Sequence, residues 1–326
     1  MIPDAHQLLS SPGVLIAASR DPDPKLTFLT VPHRGREALV VKVPTTPAAA
    51  RAVENEARLL VELRRMQLGD LAPKLPRYVG TVEVAGLRAL VATRLPATPM
   101  SISYHRWLHT ATPRRVRRDF AMAGAFLAAL QDRTCGPREP LVWPERVIDG
   151  VQGRWDGHDQ LPRALAVLEG ARERLQRHAL PRVAVHGDFW FGNVLASGES
   201  VAGVVDWEAG ELDGCPLADL ARFALSYSLY LDRHTRVGST VRGHRGLRRE
   251  GFGAGVRYAL CGSTWYARVV RDFLACGLRR LGLPASLWYD VAVVGLGDIA
   301  QSANDDDFGR GHLEILASLP VHARRQ

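Results

Sequence analysis

Two short polar stretches, set among apolar residues, hold side chains able to accept a proton and to ligate a hard cation. The first is His186-Gly187-Asp188-Phe189-Trp190-Phe191-Gly192-Asn193; the second is Val204-Val205-Asp206-Trp207-Glu208. Asp188 is an acid able to accept a hydroxyl proton. Asn193 offers an amide oxygen and Asp206 a second carboxylate. Mg2+ prefers hard oxygen ligands and takes few of them from protein, so one Asn and one Asp beside nucleotide phosphates suit it. A base together with such a metal-holding pair is what transfer from a nucleoside triphosphate to a hydroxyl needs.

The surrounding pattern has to bring these groups together. Val183-Ala184-Val185 reads as a strand running into the polar loop. Val194-Leu195 begins a second strand, Gly198-Glu199-Ser200 is a turn, and residues 201–205 form a third strand that delivers Asp206. Nearer the start, residues 14–19, 26–31 and 38–43 read as strands separated by the turns at 21–24 and 33–36. Lys42 lies inside the third of these, between Val41 and Val43. A lysine in an apolar strand is costly unless it is paired or faces a cleft. It is either a phosphate contact or an edge-strand charge that blunts aggregation. Residues 46–66 have a helical apolar face, with Thr45 or Thr46 as cap and Pro47 in the first turn.

The set H-G-D-x-x-x-x-N, then V-V-D-W-E, then Gly214-Cys215-Pro216-Leu217-Ala218-Asp219-Leu220-Ala221 resembles the aminoglycoside phosphotransferase family. Protein kinases write the loop as H-R-D-x-x-x-x-N with a later D-F-G; here Gly187 replaces the Arg, and Trp207-Glu208 replace Phe-Gly. The resemblance implies an α+β, two-lobed protein-kinase-like fold. It places a β-rich nucleotide-binding lobe over about 1–95 and a larger, mostly helical acceptor lobe over 96–326. It implies that Lys42 contacts the phosphates and pairs with a helix glutamate, best matched by Glu56, with Glu54 as the alternative. It implies a hinge at Leu95-Pro96-Ala97-Thr98-Pro99, where main-chain groups hold the adenine, with Arg94 and Leu95 as nucleotide-binding residues. Asp188 becomes the catalytic base, Asn193 and Asp206 hold Mg2+, and His186 and Asp219 support the loop. Asp219 is equally well explained as an acid in the first turn of the helix after Pro216. The turn at 21–24 lacks the G-x-G-x-x-G that covers the phosphates in protein kinases.

Beyond the motifs, strands are expected over 79–84 and 87–94 across Ala85-Gly86, and helices over 115–131, 160–178, 217–231, 258–274 and 286–299. Residues 140–149 read as irregular, and Asn304-Asp305-Asp306-Asp307 as a cap before a last helix. The 326 residues carry 46% hydrophobic and 23% charged residues, ordinary for a globular protein, and no apolar run long enough to cross a bilayer. The four cysteines lack any C-x-x-C pair, and the first residues lack the features of a secretory signal, which points to a reducing, cytoplasmic setting. The net charge is +8, with arginines crowded into 233–249. That segment has three glycines and few apolar residues, so it reads as a mobile loop; it lacks the interleaved aromatics of a nucleic-acid binder.

The sequence therefore predicts transfer from ATP or GTP, with Mg2+, to a hydroxyl of a small molecule: an aminoglycoside-like antibiotic, a sugar, a nucleoside or a related metabolite. The alternatives are a catalytically silent nucleotide-binding module and a protein kinase. A long activation segment with A-P-E is missing after Asp206, which weighs against the kinase; Lys42, Asp188, Asn193 and Asp206 are all retained, which weighs against the silent module.

Overall fold

The computed structural model describes residues 13–18, 22–31 and 37–320. The turn expected at 33–36 lies outside the described residues. The first part of the chain folds into a five-stranded antiparallel sheet. Its strand order is Gly13–Ala18, Lys25–Thr30, Leu39–Pro44, Leu87–Thr93, Tyr78–Val84. Alternation along Leu39–Pro44 decides what each face holds. Val41 and Val43 join Val82, Ala89 and Val91 in a small apolar cluster on one side. Lys42, opposite Thr27 and Leu90, belongs to the other side, where Leu90 packs into the main core. The Tyr78–Val84 and Leu87–Thr93 strands turn back through Ala85 and Gly86, both at positive φ, as a two-residue hairpin of this twist requires.

The main-core side of the sheet is covered by the Pro47–Arg65 helix. Thr46 caps it by accepting from the Ala49 N–H at 3.1 Å, and Pro47 occupies the first turn. Its buried stripe is Ala49, Val53, Glu56, Leu59, Leu60 and Leu63. One charged residue in that stripe is the exception that the sheet lysine answers. Arg64 and Arg65 close the helix at its carbonyl end, where positive charge is favoured.

From Met100 onward the fold is mostly helical. The Pro113–Arg133, Pro216–Leu229, Trp265–Arg280, Trp288–Ser302 and Asp306–Ser318 helices share one large core. Short strands pair within it: Val194–Ser197 with Ser200–Val204, and Val183–Val185 with Glu211–Gly214. The pairings set the loop at 186–193 and the loop at 205–210 side by side. No described helix is long and apolar enough to cross a membrane. The four cysteines are free.

Three expectations are corrected. Residues 140–149 are not irregular: a helix runs over Trp143–Arg154, driven by burial of Trp143, Val147, Ile148 and Val151 on one face. The single helix expected over 258–274 is two, Ala254–Cys261 and Trp265–Arg280. The break comes at Gly262, whose missing Cβ would lie 2.5 Å from the Tyr258 carbonyl oxygen, and Thr264 starts the second helix as its cap. The basic segment 233–249 is not a loose loop. Val241, His244 and Leu247 are buried, and Arg248 and Arg249 are spent on the carbonyls of Gly238, Arg233 and Thr235. Val241 and Leu247 suffice to anchor it because both sit in the core, while Val237 is exposed.

Burial pushes the pKa of His244 and of His312 down to about 4, so both are neutral at pH 7. In the unfolded chain each would take a proton below about pH 6.5. Between those values the unfolded state binds more protons, so stability falls as the pH is lowered from about 6.5 toward 4, by roughly 1.4 kcal/mol per pH unit per histidine. Melting temperatures measured from pH 7.5 to 5 should drop accordingly, and His244→Asn should flatten the curve.

Candidate functional site

Strand Val183–Val185 ends at His186, and the chain turns sharply at Gly187. Its φ is +78°, and a Cβ there would lie 2.1 Å from the Ala209 carbonyl oxygen. Only glycine fits, which is why the arginine of the protein-kinase loop has no counterpart here. Asp219, from the first turn of the Pro216–Leu229 helix, accepts the His186 N–H at 2.7 Å and the Gly187 N–H at 3.0 Å. Burial raises the Asp219 pKa; the histidine and the two N–H donors oppose that rise. The buried His186 ring donates from Nε2 to the Val205 carbonyl at 2.9 Å and accepts the Asp188 N–H on Nδ1 at 3.2 Å. Its tautomer is thereby determined, and the two loops are tied together.

Residues 189–191 alternate. Phe189 and Phe191 are fully buried, stacked on Phe126 and Tyr104 respectively, while Trp190 between them faces the cleft. The loop is thus pinned on both sides of Asp188 and Asn193. Asn193 donates from Nδ2 to the Asp188 carboxylate and to its carbonyl, both at 3.1 Å, which leaves the amide oxygen as its ligand-capable atom. Arg222, one helical turn after Asp219, donates to Asp188 Oδ1 from Nε at 2.9 Å and from Nη2 at 2.5 Å. Sequence reasoning missed Arg222. Its signal was the i, i+3 spacing from Asp219, which puts both side chains on one helix face.

Across the cleft, Lys42 Nζ lies 2.5 Å from Glu56 Oε2 and 2.5 Å from Asp206 Oδ1. Burial favours the neutral amine, but the Asp206 and Glu56 carboxylates outweigh it and hold the Lys42 pKa above its ordinary value. Burial likewise acts to raise the Asp206 pKa, and the charge and hydrogen bond of Lys42, with the charge of Lys25, overturn this and lower it. Glu56 is 2% exposed and also receives the Trp207 N–H at 3.3 Å, whereas Glu54 is exposed. Asp206 holds φ +72°, a left-handed conformation uncommon outside glycine, which asparagine and aspartate tolerate better than most residues. Lys25 pairs with Glu208, whose pKa is raised by burial and by Asp206. Asn55 donates to the Glu208 carbonyl at 2.8 Å.

Lys42, Asp188, Asn193 and Asp206 all line one cleft of about 1210 Å³, together with Lys25, Glu208 and Arg222. Arg94 and Leu95 are not among its lining residues. The Arg94 N–H is already bonded to the Ala38 carbonyl at 3.0 Å, and the Leu95 carbonyl to the Ala97 N–H at 2.9 Å. Glu56, Asp206 and Glu208 present carboxylate oxygens within 4.8 Å of one another. Oxygen-only donors of this kind suit a hard divalent cation.

A small antiparallel sheet with one covering helix, a helical remainder and an acid–amide–acid cleft define a kinase-like phosphotransferase. The model of the Phosphotransferase enzyme family matches residues 25–249, and the chain belongs to that family. No curated protein matches it in sequence. Among solved structures it is similar to a thermostable mutant of the aminoglycoside phosphotransferase APH(4)-Ia, at 12% identity and TM-score 0.56, covering 94% of each chain. A ternary complex of such a mutant with ADP and hygromycin B gives 12% identity and TM-score 0.54, covering 94% of this chain and 93% of that one. A macrolide 2'-phosphotransferase type I gives 18% identity and TM-score 0.54, covering 95% and 92%. These likenesses establish the protein-kinase-like fold.

Gly187→Ala is expected to cost about 2 kcal/mol or more, since left-handed backbone and a backbone clash combine. Thermal denaturation of that variant beside Gly198→Ala, where φ is also positive but nothing lies within 4 Å, separates the clash from the backbone effect. Equal losses at the two positions would show that the Ala209 contact is unimportant.

Proposed function

We propose that the protein transfers the γ-phosphoryl group of ATP or GTP to a hydroxyl of a small molecule. The observation that supports this best is the convergence, in one cleft, of the Asp188 carboxylate, the Asn193 and Asp206 oxygens and the Lys42–Glu56 pair. The sheet region over 1–95 is assigned to the nucleotide and the region over 96–326 to the acceptor. The relative bound to ADP and hygromycin B and the macrolide enzyme support an acceptor of antibiotic type or size.

Asp188 accepts or orients the proton of the acceptor hydroxyl as its oxygen bonds to the γ-phosphorus. The bond from that phosphorus to the bridging oxygen breaks, and the nucleoside diphosphate leaves. Arg222 and Asn193 hold the carboxylate at both oxygens, so little orientation is lost on the way to the transition state. Lys42, kept cationic by its two carboxylate neighbours, supplies charge to the phosphates. Asn193 and Asp206 would hold Mg2+, which neutralises phosphate charge when bound.

Asp188→Asn is expected to keep the fold and nucleotide affinity while lowering turnover by roughly 10²–10⁴-fold, the range for a general base. Acceptor-dependent ADP release is the assay, and near-normal turnover would remove Asp188 from the mechanism. Asp206→Ala should abolish the Mg2+-dependent gain in ATP affinity, measured by titration with and without the metal. The same metal dependence in both proteins would contradict the assignment.

A further inference from the structure

Beside the Asp188 carboxylate, away from Lys42, a side pocket of about 180 Å³ opens from the cleft. Trp190, Tyr230 and Phe308 line it with apolar ring surface, and Arg222 and Asp188 stand at one wall as an opposite-charge pair. His312 lines it too, from the Asp306–Ser318 helix. This histidine is only 1% exposed, and its Nδ1 lies 2.8 Å from the Phe308 carbonyl oxygen. A carbonyl can only accept, so Nδ1 carries the proton. Burial keeps the ring neutral down to about pH 4, which leaves Nε2 as a bare lone pair. Among the described residues no group bonds to Nε2.

An acceptor atom that no protein group pairs gains when a ligand donates to it. An apolar cavity of about 150 Å³ is enough to admit a benzene ring, so this pocket takes one six-membered ring. Its charges cancel at the Asp188–Arg222 pair, and Arg233 lies over the Tyr230 ring at 5.3 Å. The walls of the pocket itself therefore offer a polycation no net attraction, the further acids Asp298 and Asp305 lying in the adjoining cleft.

On the phosphotransfer reading above, we propose that this pocket is the acceptor subsite for a compact neutral ring bearing a hydrogen-bond donor, with His312 Nε2 as the specificity-determining acceptor. The phosphorylated hydroxyl then lies next to that ring, within reach of Asp188. His312 acts on binding and touches no reacting atom.

Phenol, anisole and benzylammonium are the probes, titrated against the full chain in the presence of MgADP and followed by NMR. Phenol keeps a donor on the ring, anisole replaces it by methyl ether, and benzylammonium adds charge. Phenol should bind about tenfold or more tightly than either, the usual penalty for leaving a polar partner unpaired. In His312→Leu the preference for phenol over anisole should vanish, while ATP affinity is retained as evidence of folding. In the wild-type protein the His312 Nε2 nitrogen signal should move on adding phenol and not on adding anisole, which tests the contact without any substitution. Equal binding of phenol and anisole, tighter binding of benzylammonium, or an unmoved His312 signal would each overturn the proposal. Absence of MgATP binding would instead sink the phosphotransfer reading and with it the acceptor assignment, leaving any phenol site as a ligand pocket of another kind.

Discussion

The structure depends most on how one buried ammonium is satisfied. Lys42 is placed by strand alternation on the helix-covered face of the sheet, where an unpaired charge is untenable. Glu56 is in the same position on its helix, and Asp206 lies at the end of a strand far along the chain. Pairing solves the problem for the buried Lys42 and Glu56 and, through the partly exposed Asp206, joins sheet, helix and loop in one step. Breaking such a pair by deleting one partner costs about 3–5 kcal/mol, because the remaining charge stays buried. The arrangement that makes the fold consistent is also the one that presents a permanent positive charge to the cleft.

The same economy governs the loop that carries Asp188. Turn-forming residues alone would leave it loose. Asp219 holds the two N–H groups at its start, His186 links it to Val205, and two buried phenylalanines clamp it from either side of Trp190. Two positions, Gly187 and Asp206, hold left-handed backbone where the loops meet. Glycine takes this conformation without strain, and at Asp206 it persists because the surrounding bonds over-determine the geometry. The carboxylate is therefore held in a rigid frame, as catalysis by positioning requires.

Charge is distributed unlike the composition suggests. The chain is net positive, yet Arg248 and Arg249 of the 233–249 segment are consumed in bracing their own loop, and Arg222 is consumed in holding Asp188. Arg242 lies over the exposed Trp107 ring at 5.4 Å, away from the cleft lining. Overall charge is thus a poor guide to the acceptor; the local set at the side pocket is the better one.

The sequence by itself determined the family, the fold class and the residues of the cleft whose roles depend on local spacing. H-G-D-x-x-x-x-N, V-V-D-W-E and the later Asp219 are short-range patterns, and the strand alternation around Lys42 and the helical stripe containing Glu56 are periodic ones. Periodicity and turn chemistry are local, so they survive in one dimension. Tertiary structure alone decided whatever depends on contact between distant segments. It separated Glu56 from Glu54 by burial, tied Arg222 to Asp188, split the 258–274 helix at a glycine pressed against a carbonyl, and anchored the basic segment through three buried side chains. It placed Arg94 and Leu95 outside the lining of the cleft. It also gathered Trp190, Tyr230, Phe308 and His312, spread over more than a third of the chain, around one small pocket. Such groupings have no period and no motif, since packing, and not spacing, selects which side chains meet.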